Sequence, residues 1–272
     1  MNNKIQLTVA DFEPAKTKTY ELYLEIGANH YNYAVIDPQN QNVKTISYRP
    51  SNIHNDINEE LLQAHFAKTK ISLNTQKFTF VPSELFHESA LANFTKYIDA
   101  QENEEVFIKK IAQAKLTIIY ALPKLQLDKI SSYFPTAEIY PQIAPFYNGV
   151  AYAFSQIGFS QLFINFKGNL MEIIIINQHQ FQFYNIFEFH NDEEMMYFLL
   201  LAAQENNIKP ASTTVKISGD FNPNGTIFSQ VLNYFPSTEI TDQDSLPLFY
   251  QGLKEPVMPR FFSLLALHLC EL

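Results

Sequence analysis

The chain has a single cysteine, Cys270, so internal disulfides and cysteine-rich zinc sites are excluded. Tryptophan is absent, and glycine contributes only 7 of 272 residues, well under the usual share of roughly 7%. Phosphate-cradling loops rely on glycine to bring backbone N–H groups close to an anion, so few such loops can exist. Arginine occurs only at Arg49 and Arg260, which argues against an arginine-lined phosphate or base-reading site. Lys plus Arg total 19 against 28 Asp plus Glu, a net charge of −9. That balance disfavours nucleic acid and anionic membrane as direct partners. The longest apolar run, Met195 to Ala203, spans nine residues, whereas a membrane helix needs about 20. No direct membrane insertion is expected, and with no signal peptide recognised the expected location is the cytoplasm.

Apolar residues make up 46% and charged residues 17%, so a real core can form and global disorder is excluded. Phe and Tyr number 24 and 15. They can fill the core, or they can form an aromatic surface for partners.

Residues 1–20 lack periodicity and read as a loose N-terminal segment. Three alternating apolar runs follow at Tyr20–Ile26, Tyr31–Asp37 and Val43–Tyr48, an antiparallel meander. Asn55–Lys68 is predicted helical, with Asp56 as cap and Glu59 three residues on. Strands are expected at Lys77–Val81, Glu105–Ile111, Leu116–Leu122 and Glu138–Tyr140. Helices are expected at Ser89–Ile98, Pro123–Phe134 and Ile143–Phe154. A second meander then begins: Leu162–Phe166, Leu170–Asn177 and Phe181–Phe187. After it come a helix capped by Asn191 or Asp192, a strand over Thr213–Ile217, a helix through Ile227–Phe235, and an apolar terminal segment from Phe261.

The two meanders align without a gap, Leu22–Asp37 against Leu162–Asn177, with Asn29 and Asn169 at matching turns. The same sequel of helix, strand and helix follows each. A duplication explains this better than coincidence. The expected division is 21–157 and 158–272, with an insertion around 70–122 in the first part.

A duplicated meander with helices resembles the actin-like ATPase fold of sugar kinases, heat-shock-70-type chaperones and the actin-like platform proteins of type IV pili and type II secretion. In detail the chain is similar to an uncharacterised bacterial family with a degenerate form of that fold. The shared traits are the opening hairpin, Tyr120-Ala-Leu-Pro123, Tyr197-Phe-Leu-Leu200 and Ile217-Ser-Gly219. The resemblance implies an α/β protein of two related ribonuclease H-like subdomains. Each would hold a three-stranded meander, parallel strands and flanking helices.

Active members carry Asp-apolar-Gly plus a hydroxyl residue in the first hairpin; this chain has Glu25-Ile26-Gly27-Ala28-Asn29. Their second hairpin has Asp-apolar-Gly-Gly; here it is Asn165-Phe166-Lys167-Gly168-Asn169. Their adenosine-side strand ends in Gly-Gly; here it is Ser218-Gly219-Asp220. The resemblance implies a remnant ligand cleft lined by Glu25, Gly27, Asn29, Asn165, Lys167, Gly168, Ser218 and Gly219. Phosphoryl transfer needs Mg²⁺ held through carboxylates and placed phosphates. Replacing one carboxylate by Asn165 and lengthening the other at Glu25 disfavours both. Lys167 reads either as an ordinary hairpin-turn lysine or as a cation facing phosphate. The expectation is no catalytic residue, no bound Mg²⁺ and no cofactor, with weak ATP binding left open.

None of the seven histidines has a second metal ligand at helical or hairpin spacing. Cys270 and His268 stand two residues apart, which does not align them on a helix, so Cys270 reads as a small buried residue. The acidic stretches Gln101–Glu105 and Asn191–Glu194 read as a solvated loop and a helix N-terminus. The function expected is a non-catalytic actin-like scaffold or protein-binding module, with a protein partner or self-association. The alternative is an ATPase or phosphotransferase with atypical metal ligands.

Overall fold

The structure is a computed structural model that describes residues 4–27, 30–50, 59–155, 161–241, 243–250, 252–253 and 255–270. Two compact units are present. The first comprises Met1–Asn148, Pro247–Lys254 and Leu267–Leu272; the second comprises Gly149–Leu246 and Glu255–Ala266. The expected division at 157/158 falls on residues outside the described ones.

The first unit is built on six strands: β1 (Ile5–Thr8), β2 (Glu21–Ile26), β3 (Tyr31–Asp37), β4 (Asn42–Arg49), β5 (Lys68–Leu73) and, after the insertion, β9 (Glu138–Pro141). Their order is β1-β4-β3-β2-β5-β9. β2, β3 and β4 form the meander, and β5 and β9 extend it in parallel. The segment over 1–20 is not loose throughout. β1 pairs antiparallel with β4, and a 3₁₀ turn covers Pro14–Thr19. Arg49 holds β1 by donating from Nη1 to Ile5 O (2.9 Å) and from Nη2 to Gln6 Oε1 (2.8 Å). Four residues carry too little periodicity to reveal such a strand.

Of the helix expected over 55–68, residues 55–58 lie outside the described ones. Glu60–Gln63 is a single 3₁₀ turn, and Lys68 opens β5. Thr69, Ile71 and Leu73 are β-formers in alternation, but the intervening lysines mask the pattern. The insertion therefore begins after residue 73. It is a separate three-stranded sheet, β6 (Phe78–Pro82), β7 (Glu104–Ile111) and β8 (Leu116–Pro123), in the order β6-β8-β7. Its own small core is Val81, Ile98, Ile119 and Ala121. The helix expected over 89–98 shrinks to α1 (Leu91–Thr95). The chain returns through α2 (Lys124–Tyr133), β9 and α3 (Ile143–Ala153).

The second unit repeats the pattern with β10 (Gln161–Lys167), β11 (Leu170–Asn177), β12 (Gln180–Glu188), β13 (Thr214–Gly219) and β14 (Thr238–Ile240), in the order β12-β11-β10-β13-β14. This matches β4-β3-β2-β5-β9 strand for strand. α4 (Asp192–Glu205) and α5 (Thr226–Tyr234) cover one face, closing a core of Leu162, Ile164, Phe166, Ile173, Leu199 and Val231. Asn191 caps α4, its Oδ1 accepting from Glu194 N at 2.8 Å. That bond satisfies one of the orphan amides of the first turn. A 3₁₀ turn at Met258–Phe261 and α6 (Phe262–Leu265) pack against β13. The last 3₁₀ turn, Ala266–Leu269, carries the chain back to the first unit.

Candidate functional site

The main sheet of each unit carries a row of buried polar side chains. In the first unit Glu25 on β2 lies opposite Asn32 on β3, and Ser72 on β5 is in register with Glu25. Residues in register share a sheet face. All three are buried. Asn32 Nδ2 donates to Glu25 Oε1 at 3.0 Å. Asn32 Oδ1 and Ser72 Oγ have no hydrogen-bond partner among the described residues.

In the second unit Asn165 on β10 lies opposite Glu172 on β11, with Ser218 on β13 in register. Asn165 Nδ2 donates to Glu172 Oε2 at 2.7 Å, and Tyr184 Oη donates to Glu172 Oε1 at 2.7 Å. Ser218 Oγ lies 3.1 Å from Asn165 Oδ1. Lys167 Nζ approaches Glu172 Oε2 to 3.1 Å, and both side chains are almost fully buried.

The offset of the sequence repeat superposes these rows. Glu25 matches Asn165, Asn32 matches Glu172, and Ser72 stands where Ser218 does. The carboxylate and the carboxamide have exchanged strands. Position 165 carries no carboxylate, and Glu172 supplies one from the neighbouring strand. The gapless alignment already set Asn32 against Glu172, and that reciprocal exchange was the available signal. Lys167 flanks the hairpin turn and is buried. Its ammonium is buried against Glu172, which fits the rule that buried charges are paired.

The glycines have local duties. Gly27 N donates to His30 O at 2.9 Å. A Cβ on Gly27 would stand 2.5 Å from His30 Cε1, and the His30 ring stacks on Tyr48. Gly168, at φ +64°, opens the two-residue turn between paired Lys167 and Leu170. Glycine at the first central position suits a type II′ hairpin. Gly219, at φ +93°, lies against β10, where a Cβ would meet Phe166 O at 2.1 Å and Phe166 N at 2.4 Å. Asn29 lies outside the described residues. Glu25 and Gly27 belong to the first unit, and Asn165, Lys167, Gly168, Ser218 and Gly219 to the second.

A second polar group surrounds the returning tail. Lys70 Nζ donates to Leu267 O (3.1 Å) and Cys270 O (2.8 Å). Tyr23 Oη donates to Glu21 Oε2 at 2.7 Å and lies 3.0 Å from His268 Nδ1. Burial, with help from Lys70, lowers the pKa of His268; burial also lowers that of Lys70. Cys270 is buried. Among the described residues no group of three or more His, Cys, Asp or Glu could hold a metal ion.

Two repeated sheets, each a meander extended by two parallel strands, define an actin-like ATPase fold. The solved structures agree. A Bacteroides thetaiotaomicron protein with an actin-like ATPase fold and unknown function superposes with a TM-score of 0.74 at 16% identity, covering 93% of this chain and 98% of that one. A chain of the PilM–PilN type IV pilus biogenesis complex gives 0.63 at 12% identity, covering 94% and 100%. Within this fold, residues 9–238 match the family described as protein of unknown function DUF3822, and the chain belongs to that family. No functionally curated protein matches it in sequence. No helix among the described residues is long and apolar enough to cross a membrane.

Proposed function

We propose that this protein is a non-catalytic actin-like scaffold, a protein-binding module whose second polar row carries its own cation. The observation that carries this reading is the Lys167–Glu172 pair. A phosphoryl-transfer site needs its carboxylates available to Mg²⁺ and its waters. Here the second-unit carboxylate already accepts from Asn165 and Tyr184 and is ion-paired with Lys167. The local roles of Gly27 and Gly219 support the same view. The surface over Gly27 is taken by the His30 ring, and Gly219 meets the β10 backbone. These residues do not fit an ATP–Mg²⁺ site of the actin-like kind. The PilM–PilN complex, in which a chain of this fold is found with a protein partner, supports a role in protein assembly.

The test is isothermal titration with ATP, with and without Mg²⁺, beside a phosphate-release assay. Neither binding nor release is expected. Mg²⁺-dependent micromolar binding, with phosphate release abolished in Glu25→Ala, would return the protein to the ATPases. Affinity purification of the tagged protein from its own cells addresses the partner, and a stoichiometric protein is expected.

A further inference from the structure

Among the described residues the sheet edges are treated unequally. β1, β6, β9 and β14 are three to five residues long, and β6 and β9 end in proline. β7 is eight residues long but carries Glu104, Glu105, Lys109 and Lys110. Short length, proline and charge are the means by which proteins keep edges from pairing. β12 has neither short length nor proline; its protection is one terminal charge and a β-bulge at Gln182, which leaves Phe183–Glu188 in regular register. It is nine residues long, Gln-Phe-Gln-Phe-Tyr-Asn-Ile-Phe-Glu, with a single ionised side chain, Glu188, at its end. Among the described residues it pairs only with β11.

The duplication shows what such an edge accepts. β12 stands in the second sheet where β4 stands in the first, and the outer edge of β4 is covered by β1, antiparallel. β1 is matched to β4 by side chains that β12 lacks. Thr45 Oγ1 donates to Leu7 O, Ser47 Oγ donates to Ile5 O, and Arg49 Nη1 also bonds Ile5 O. A second copy's β1 therefore has no anchors on β12. A second copy's β12 does match it. The amide of Ile186 donates to the side chain of Asn185 at 2.9 Å, which marks Ile186 as an outward-facing edge residue. By alternation the main chain of Glu188 points to the same edge.

We propose that two copies of this chain associate through β12, pairing antiparallel about a two-fold axis and joining two five-stranded sheets into one. An isologous contact of this kind needs a self-complementary strip. Antiparallel pairing sets the two Glu188 carboxylates at opposite ends of the ladder. An aromatic strip continues from the edge onto α4. Phe187 stacks on Phe198 at 5.2 Å, Tyr197 meets Phe198 edge-on at 5.5 Å, and Tyr197 is 61% exposed. This strip supplies the apolar area that a two-strand ladder lacks. Repulsion between copies of net charge −9 is screened beyond about 8 Å at physiological ionic strength, and the edge itself holds one charge.

The test is sedimentation velocity of the full chain across the micromolar range, with Ile186→Pro and Ile186→Lys alongside. Proline at 186 removes only the bond to Asn185, and lysine places like charges near the axis. The expected result is a dimer for the native chain and monomers for both variants, with unchanged far-ultraviolet circular dichroism. If the proline variant fails to fold, the lysine variant decides. A native chain that stays monomeric, or a dimer that survives in the folded variants, would overturn the proposal. A monomeric chain whose β12 amides gain exchange protection only with another protein overturns it as well, assigning the edge to a different partner. The edge and the polar rows are separate features, so a failed dimer leaves the nucleotide result standing.

Discussion

Gly168 and Gly219 both adopt positive φ, yet a methyl group would meet open space at the first and the β10 backbone at the second. Gly168→Ala is expected to cost about 1–2 kcal/mol, the strain of a left-handed residue with a Cβ. Gly219→Ala should exceed about 4 kcal/mol or prevent folding, because backbone atoms cannot step aside. Urea denaturation of the two variants checks the order, and similar losses would remove the contact argument. Lys167 offers a second test. Lys167→Met leaves Glu172 buried without its cation and should cost about 3–5 kcal/mol. Adding Glu172→Gln should recover part of that loss, since residues in direct contact couple. A strictly additive double variant would mean that the pair does not interact. The substitution at position 165 was legible in the sequence, and the alignment of Asn32 with Glu172 was a signal of its compensation, but the contact itself was not legible, because cross-strand register is a property of two segments at once.

At the scale of elements, β1 depends on Arg49, and Arg49 depends on Glu59. Burial by itself would raise the Glu59 pKa, but hydrogen bonds from Arg49 and Tyr33 outweigh it and hold it below the usual carboxylate value. Tyr31 moves the other way. Burial, then the Glu59 charge, pushes it up to about 12. A carboxylate with a depressed folded pKa adds stability that is present above its unfolded pKa and is lost as pH falls through the folded value. Glu59→Gln should therefore flatten the acid side of the stability profile, below about pH 4.5. Thermal midpoints against pH for both proteins check this, and parallel profiles would dismiss the linkage. Arg49→Met should expose the β1 amides to hydrogen exchange while β2 and β3 stay protected. β1 and β5 were the two strands of the first sheet that periodicity did not reveal. One is four residues long, and the other hides Lys68 and Lys70 among its β-formers. Lys70 is buried only because the returning tail offers its carbonyls.

For the whole molecule, the inserted sheet closes one face with a small core of its own, Val81, Ile98, Ile119 and Ala121, against seventeen buried residues closing the second sheet, while Ile111, Ile118, Tyr120 and Leu122 are buried on its other face. Regions with few buried apolar contacts open at lower free energy than the global transition. Native-state hydrogen exchange should show β6, β7 and β8 opening before β10, β11 and β13. Equal protection throughout would make the insertion part of one cooperative unit.

The sequence by itself determined most of the strand pattern, the duplication and the dilution of the phosphate motifs, because alternation and residue type are local quantities. It also marked Asn191 or Asp192 as a cap and Cys270 as buried. Only the tertiary structure decided that Glu172 answers Asn165, that Lys167 turns inward, that β1 closes one sheet edge while β12 pairs only with β11 among the described residues, and that the final turn returns to the first unit. Each depends on which distant segment lies alongside, and pairing energy between strands is decided by register and cover rather than by the residues of either strand alone.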